Sequence, residues 1–201
     1  TATQFIKQTV VAGMTASALL AFTTSASAAV IIDFATGGAG AGGALAIGSG
    51  QASGSGIPVN SVLVLGAPLS NGSFDTSGAA TSTSQDINLS ASLGFNTQTG
   101  AVSIVGGIPS LNIPNGTTLL SGTITDFTVV ANTPTSAMVT LEGTDTKAPL
   151  LLAVLGLGAD TEFEFLASIM GANTSATGSP YVGASTDVQD ASVGPEPGSM
   201  L

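Results

Sequence analysis

Hydrophobic and polar residues alternate along much of the chain, a pattern typical of β-strands whose two faces meet different surroundings. In the clearest run, residues 87–95, every second residue is apolar, from Ile87 to Phe95, and polar residues or glycine lie between them. Residues 96–100 have a turn-like composition, and a second apolar run begins at Ala101. The pattern predicts a β-hairpin across these residues.

Shorter runs of the same kind predict strands elsewhere. The predicted strands are residues 30–34, 44–50, 61–65, 119–131, 137–141, 162–169 and 181–190. Gly, Pro and Asn separate these runs, as they do in turns. In the run that begins at Glu162, alternation directs Phe163, Phe165, Ala167 and Ile169 to one face. Many short strands joined by turns predict an all-β fold, an antiparallel β-sandwich.

One short helix is predicted at residues 148–155. Pro149 suits its first turn, and Gly156 suits the position where it stops. The run is apolar nearly all round, so we expect it to be buried against the sheets. Asp145 or Thr146 is a candidate cap for the turn before it.

Residues 1–28 have the pattern of a secretory signal peptide. Lys7 supplies its positive charge, an apolar run follows, and Ala26 and Ala28 are the small residues of a cleavage site. We expect export through the Sec pathway and cleavage after Ala28, which leaves a domain at 29–192. The apolar run is too short to span a bilayer stably, so no stable membrane span is expected in this sequence.

The charge balance narrows the range of partners. The sequence has 2 basic and 12 acidic residues. Because Lys7 belongs to the signal, Lys147 is the one basic residue of the domain. A surface with such an excess of negative charge repels nucleic acid and anionic lipid, and neither is expected as a partner. Charged residues make up only 7% of the chain, which predicts an exterior of Ser, Thr, Asn, Gly and Ala.

The sequence contains neither histidine nor cysteine. Ser-His and Cys-His catalytic pairs are therefore excluded within it. The usual protein ligands of zinc, copper and haem are missing as well. We expect a non-enzymatic domain without a cofactor, and we assign no catalytic or metal-binding residue.

A glycine-rich stretch at residues 38–43 matches the dinucleotide-binding pattern G-x-G-x-x-G. A dinucleotide fold needs a helix directly afterwards and an acidic residue about 20 positions further on. Here a strand-like run follows, and no acidic residue occurs between Asp33 and Asp75. The motif therefore indicates a loop that leads into a strand.

Two glutamates on one predicted strand suggest a catalytic pair. Glu162 and Glu164 would share a face about 7 Å apart. Glycosidases use two carboxylates at comparable separations. The simpler interpretation is a solvated strand face whose opposite side carries Phe163 and Phe165.

Other acidic residues suggest a structural calcium ion, which oxygen ligands would hold. One candidate group is Glu142, Asp145 and Thr146, and another is Asp187 and Asp190. Neither group has the spacing of an EF-hand loop. The sequence leaves open whether a calcium ion is bound.

The end of the chain carries the most specific motif, Pro195-Glu196-Pro197-Gly198. Two prolines around a glutamate are incompatible with a helix or a central strand. This stretch resembles the start of the PEP-CTERM sorting segment of exported bacterial proteins. In that family the motif precedes a hydrophobic span and a basic end, which we expect beyond the last residue here. The resemblance implies that residues 193–201 begin a sorting segment whose partner is an exosortase-type enzyme.

These observations predict a non-catalytic exported protein. The resemblance implies a cell-surface or extracellular location in a Gram-negative-type bacterium, in association with exopolysaccharide or biofilm matrix. One alternative is a secreted carbohydrate-active hydrolase, or a carbohydrate-binding module, that uses Glu162 and Glu164. Another is an adhesive or ice-binding surface, suggested by abundant Thr and Ala, although the Thr spacing is irregular. The sequence identifies neither the ligand nor the oligomeric state.

Overall fold

The computed structural model describes residues 29–36, 42–76, 91–133, 136–172 and 182–192. These residues form mainly β-strands. The strands are β1 (Ile31–Ala35), β2 (Ala44–Gly48), β3 (Gln51–Val59), β4 (Ser61–Leu65), β5 (Gly72–Asp75), β6 (Ala91–Asn96), β7 (Ala101–Ile108), β8 (Ile113–Thr133), β9 (Ser136–Lys147), β10 (Phe163–Ala172) and β11 (Val182–Ser192). A single 3-10 turn (Pro109–Leu111) and one α-helix, α1 (Pro149–Leu155), complete the described elements.

The described strands make one antiparallel sheet in the order β2-β3-β6-β7-β8-β9-β10-β11-β1-β4-β5. Hairpins join β6 to β7, β7 to β8 and β8 to β9, whereas β1 lies between β11 and β4. The sheet folds back on itself, because β11 also contacts β3 and β2 from the opposite half. The fold is therefore all-β, antiparallel and sandwich-like with one short helix, as the sequence predicts.

Alternation along the strands builds the core between the two halves. Ala91, Leu93 and Phe95 of β6 are buried, and so are the four alternate residues of β10 that begin at Phe163. These faces are the ones that the sequence pattern predicts. Residues 87–90, which begin the clearest sequence run, lie outside the described residues. Among the described residues, no helix is long and apolar enough to cross a membrane.

Strand β3 was not among the predicted strands, because its composition is that of a loop. It contains Gly54 and Gly56, and the pairing register with β6 shifts between Gly54 and Ile57. Gly54 is required there, since a side chain at this position would collide with the ring of Phe95 and with Ile57. Gly56 has φ +63°, which glycine adopts at little cost. A bulged strand of this kind carries no alternation that the sequence could show.

Helix α1 begins at Pro149, one residue after the predicted start, and ends at Leu155 as predicted; Gly156 has the left-handed φ of +77°. Its buried side chains are Leu151, Leu152 and Leu155, whereas Leu150 is 54% exposed. The capping prediction is wrong. The N-cap residue is Ala148, without a side-chain cap. The Asp145 carboxylate bonds to Lys147, and the Thr146 hydroxyl donates to the Ser121 carbonyl oxygen at 3.4 Å.

We predict that Leu93→Ala lowers the free energy of unfolding by about 2–5 kcal/mol, because it empties a fully buried leucine site. Its neighbour Ser92 lies on the other face of β6, and Ser92→Ala should change the stability by no more than about 0.5 kcal/mol. Urea unfolding of both variants measures the difference. Equal unfolding midpoints would show that this face of β6 does not belong to the core.

Candidate functional site

The inward face of β9 changes from apolar to charged along its length. Val139 and Leu141 are fully buried, and the same alternation brings Asp145 and Lys147 to the inner side. The side chains of both charged residues have no exposed surface. Lysine and aspartate are rarely buried in this way unless they are paired. The only basic residue outside the predicted signal therefore lies inside the protein.

A second aspartate reaches Lys147 from β11. Asp190 pairs with Ile32 of β1 and Phe165 of β10, and it follows the buried Val188 on the same face of the strand. Its side chain is also completely buried. Strands β9 and β11, which lie on either side of β10, thus place one amine and two carboxyl groups in the core.

Lys147, Asp145 and Asp190 form a compact group, which we call the Lys147 cluster. The Lys147 Nζ atom donates a hydrogen bond to Asp145 Oδ1 and lies 3.0 Å from Asp190 Oδ1. The ring centroid of Phe163 is 4.5 Å from Nζ, and that of Phe34 is 5.9 Å away. An aromatic face at such distances attracts an ammonium group. The Lys147 Nζ atom therefore lies among two carboxyl groups and two aromatic rings.

Burial raises the pKa of the Asp190 carboxyl well above its ordinary value, because a charged carboxylate is poorly solvated among apolar side chains. The positive charge of Lys147 opposes this rise, and the adjacent Asp145 adds to it. The raised pKa favours the uncharged form of the Asp190 carboxyl, which reduces the cost of burying it beside a second carboxyl group.

The glutamates suggested by the sequence lie on the outer side of the sheet. Glu162 and Glu164 are exposed, whereas Phe163 and Phe165 between and beyond them are buried. This agrees with the simpler interpretation of a solvated strand face. Glu164 borders an open groove of about 550 Å³, and Glu162 borders a separate one. The hydrolase alternative stays a prediction.

The first calcium group suggested by the sequence, Glu142, Asp145 and Thr146, does not converge. Glu142 is exposed on the face of β9 opposite the buried Asp145, so these two carboxylates point apart. Asp190 does meet Asp145, but the cation between them is the Lys147 ammonium. Within the described ranges, no group of three or more acidic residues could hold a metal ion.

The signal-cleavage residues Ala26 and Ala28 and the sorting motif from Pro195 to Gly198 lie outside the described residues. So do residues 38–41 of the glycine-rich motif. The structure therefore leaves these predictions as they stand.

The Lys147 cluster was not predicted from the sequence, in which Lys147 counted only toward the net charge. A signal was present: the alternation through Val139 and Leu141, extended by two further steps of two beyond Gly143, falls on Asp145 and Lys147. The corresponding signal on β11 is the spacing between Val188 and Asp190. What the sequence could not supply is the pairing order that makes β11 a neighbour of β10.

Comparisons with known proteins add no assignment: no family model, curated protein or solved structure matches the chain.

We predict that Lys147→Met lowers the free energy of unfolding by about 3–5 kcal/mol at neutral pH, because it leaves buried carboxyl groups without their cation. The raised pKa of Asp190 sets the pH dependence. The native state keeps a proton that the unfolded chain releases above about pH 4, so stability is lost as the pH rises. Without Lys147 this loss is larger. Urea unfolding from pH 4 to 7 should show the difference from the wild type growing with pH.

Two further variants serve as controls for this measurement. Glu162→Gln removes an exposed charge and should change the stability by no more than about 0.5 kcal/mol. Adding Asp190→Leu to Lys147→Met should restore part of the lost stability, since the unpaired acid is removed. A stability difference between Lys147→Met and the wild type that stays constant over the pH range would contradict the role assigned to Asp190.

Proposed function

We propose that the chain is a non-catalytic exported protein, sorted to the cell surface or extracellular matrix, where it contacts exopolysaccharide. The signal-like residues 1–28 support export, and the resemblance of the Pro195–Gly198 stretch to a PEP-CTERM segment supports sorting by an exosortase-type enzyme. The observation that carries the contact with exopolysaccharide is the chemistry of the outer face of β8 and β9.

Exposed hydroxyl groups lie opposite each other on these two strands. Ser121 pairs with Thr146, and Thr123 pairs with Thr144; all four residues are exposed. We call these four residues the hydroxyl face. They border both grooves described above: Thr144 lines the groove beside Glu164, and all four line the groove beside Glu162.

The hydroxyl face suits a polymer of sugars. A hydroxyl group both donates and accepts hydrogen bonds, and so does each hydroxyl of a polysaccharide. The neighbouring Glu162 and Glu164 add carboxylate acceptors at the edge of the face. Single contacts of this kind are weak in water. A long polymer can engage many such copies at once, so its overall binding exceeds that of one site.

We predict that the Thr123→Val, Thr144→Val double variant binds less to exopolysaccharide from a producing bacterium than the wild type does. The substitution removes two hydroxyls at nearly constant shape. Co-sedimentation with the insoluble polymer measures the bound fraction, and we expect it to fall several-fold. Ser55→Ala together with Ser73→Ala removes two exposed hydroxyls from β3 and β5 and should leave binding unchanged. Equal losses in both double variants would count against the hydroxyl face.

The sorting proposal has its own test. We predict that deleting residues 195–198 from the native gene product prevents its delivery to the cell surface, because the processing enzyme loses its motif. Fractionation of cells and medium, followed by immunoblotting, locates the protein. Replacing the same residues with Gly-Ser-Gly-Ser controls for length. Unchanged localisation of both variants would mean that this stretch is an ordinary linker.

A further inference from the structure

The Lys147 cluster holds the reactants of an amide bond at contact distance. Lys147 supplies a primary amine, Asp190 supplies a carboxyl group, and Asp145 supplies a second carboxyl that can accept and return a proton. No side chain of the three has exposed surface. The three residues come from two different strands, β9 and β11, and a buried ion pair by itself adds little stability.

We propose that Lys147 and Asp190 join in an intramolecular isopeptide bond between Nζ and Cγ, with Asp145 as the proton relay. The reaction is a condensation that needs no oxidant, cofactor or second substrate. Its products are one amide and one water molecule. This inference is independent of the proposed contact with exopolysaccharide.

The proton and electron balance follows from the groups present. The Lys147 ammonium first gives a proton to the Asp145 carboxylate, to which it is already hydrogen-bonded. The freed amine lone pair attacks Cγ of the protonated Asp190, and the carbonyl π pair moves onto its oxygen. The proton held by Asp145 passes to the departing hydroxyl, which leaves as water as the carbonyl re-forms. The amide nitrogen returns its surplus proton to Asp145.

Asp190 is assigned as the acceptor because of how Nζ approaches it. Nζ is 3.0 Å from Oδ1, one bond from Cγ, yet neither Asp190 oxygen has an aligned hydrogen-bond donor among the described residues. Asp145 instead accepts a hydrogen bond through Oδ1, the arrangement of a proton acceptor. A protonated Asp190 is also the better electrophile, since the amine attacks a neutral acid more easily than a carboxylate.

The surroundings favour the condensation. Fixing two groups in contact can correspond to an effective concentration of about 10⁵–10⁸ M. Phe163 and Phe34 lie beside the amine, and a site without solvent-exposed surface disfavours hydrolysis of the amide. The bond also replaces an ammonium and a carboxyl with a neutral amide, which removes the cost of burying a charged amine. The orientation of the two groups and their burial therefore both favour formation of the amide bond.

The bond would tie β9 to β11 across the intervening β10. It would close a covalent loop that contains α1 and β10. Such a cross-link restricts the unfolded chain as a disulfide does. It would do so in a sequence without cysteine and irrespective of the redox state outside the cell.

Intact-mass spectrometry of the full chain, denatured after purification, tests the proposal. We expect the wild type to be lighter than its sequence mass, for the same processed N-terminus, by one water molecule. Lys147→Arg keeps the positive charge but lacks the amine nucleophile, and Asp190→Ala lacks the acceptor, so both should show the full sequence mass. Asp145→Asn should show a larger unlinked fraction than the wild type at equal times after synthesis.

Peptide mapping identifies the bond itself. Digestion with chymotrypsin should release a branched peptide that joins the segment containing Lys147 to the segment containing Asp190. An amine-reactive reagent applied to the unfolded wild type should fail to label Lys147. A branch to Asp145 would overturn the assignment of the acceptor.

The mass and labelling of the wild type test the proposed bond even if a variant fails to fold. Cooperative unfolding followed by circular dichroism establishes that the wild-type preparation is folded. A folded wild type at its full sequence mass, with Lys147 open to labelling after denaturation, would overturn the proposal. Complete linkage in Asp145→Asn, as fast as in the wild type, would remove the relay role from Asp145.

Discussion

The structure depends on the burial of the Lys147 side chain against those of Asp145 and Asp190. Lys147 and Asp145 lie at the end of β9 and Asp190 lies near the end of β11, and the three meet when β10 pairs in register with both strands. Any misregistered pairing of β10 with either neighbour would leave a buried charge without a partner, which costs far more than a lost apolar contact. The cluster thus distinguishes the native register from its alternatives, in addition to whatever stability it contributes.

The burial of Lys147 is the reverse of the usual arrangement, in which basic side chains lie at the surface and apolar side chains lie inside. Lysine usually lies at the surface of a folded domain, yet here the outer face of β8 and β9 carries hydroxyl groups and Lys147 is buried. Exposed hydroxyl groups suit contact with hydrated polymers, which is the basis of the proposed function. The outer face of β8 and β9 therefore carries uncharged polar groups, whereas the one basic group of the described residues lies in the interior.

The sequence predicted what depends on local periodicity. The faces of β6 and β10 and the ends of α1 followed from alternation, from Pro149 and from Gly156. Strand β3 did not, because Gly54 is dictated by the ring of Phe95 on another strand. The Lys147 cluster is a similar case: the alternation points Asp145 and Lys147 inward, but only the pairing of β10 with β11 shows what they meet. Non-local pairing is the part that a single sequence conceals.

The position of β1 has a consequence for the time course of folding. This strand, the first of those described, is held between β4 and β11, the last, and Ser192 donates its backbone N–H to the Val30 carbonyl. The domain therefore cannot be completed from its N-terminal part alone, and contacts so distant in sequence form slowly. If the chain crosses a membrane from its N-terminus, one edge of β1 stays unpaired until β11 has also crossed the membrane. The sheet is then completed only when the final strand is available to pair with β1, and not when the core first collapses.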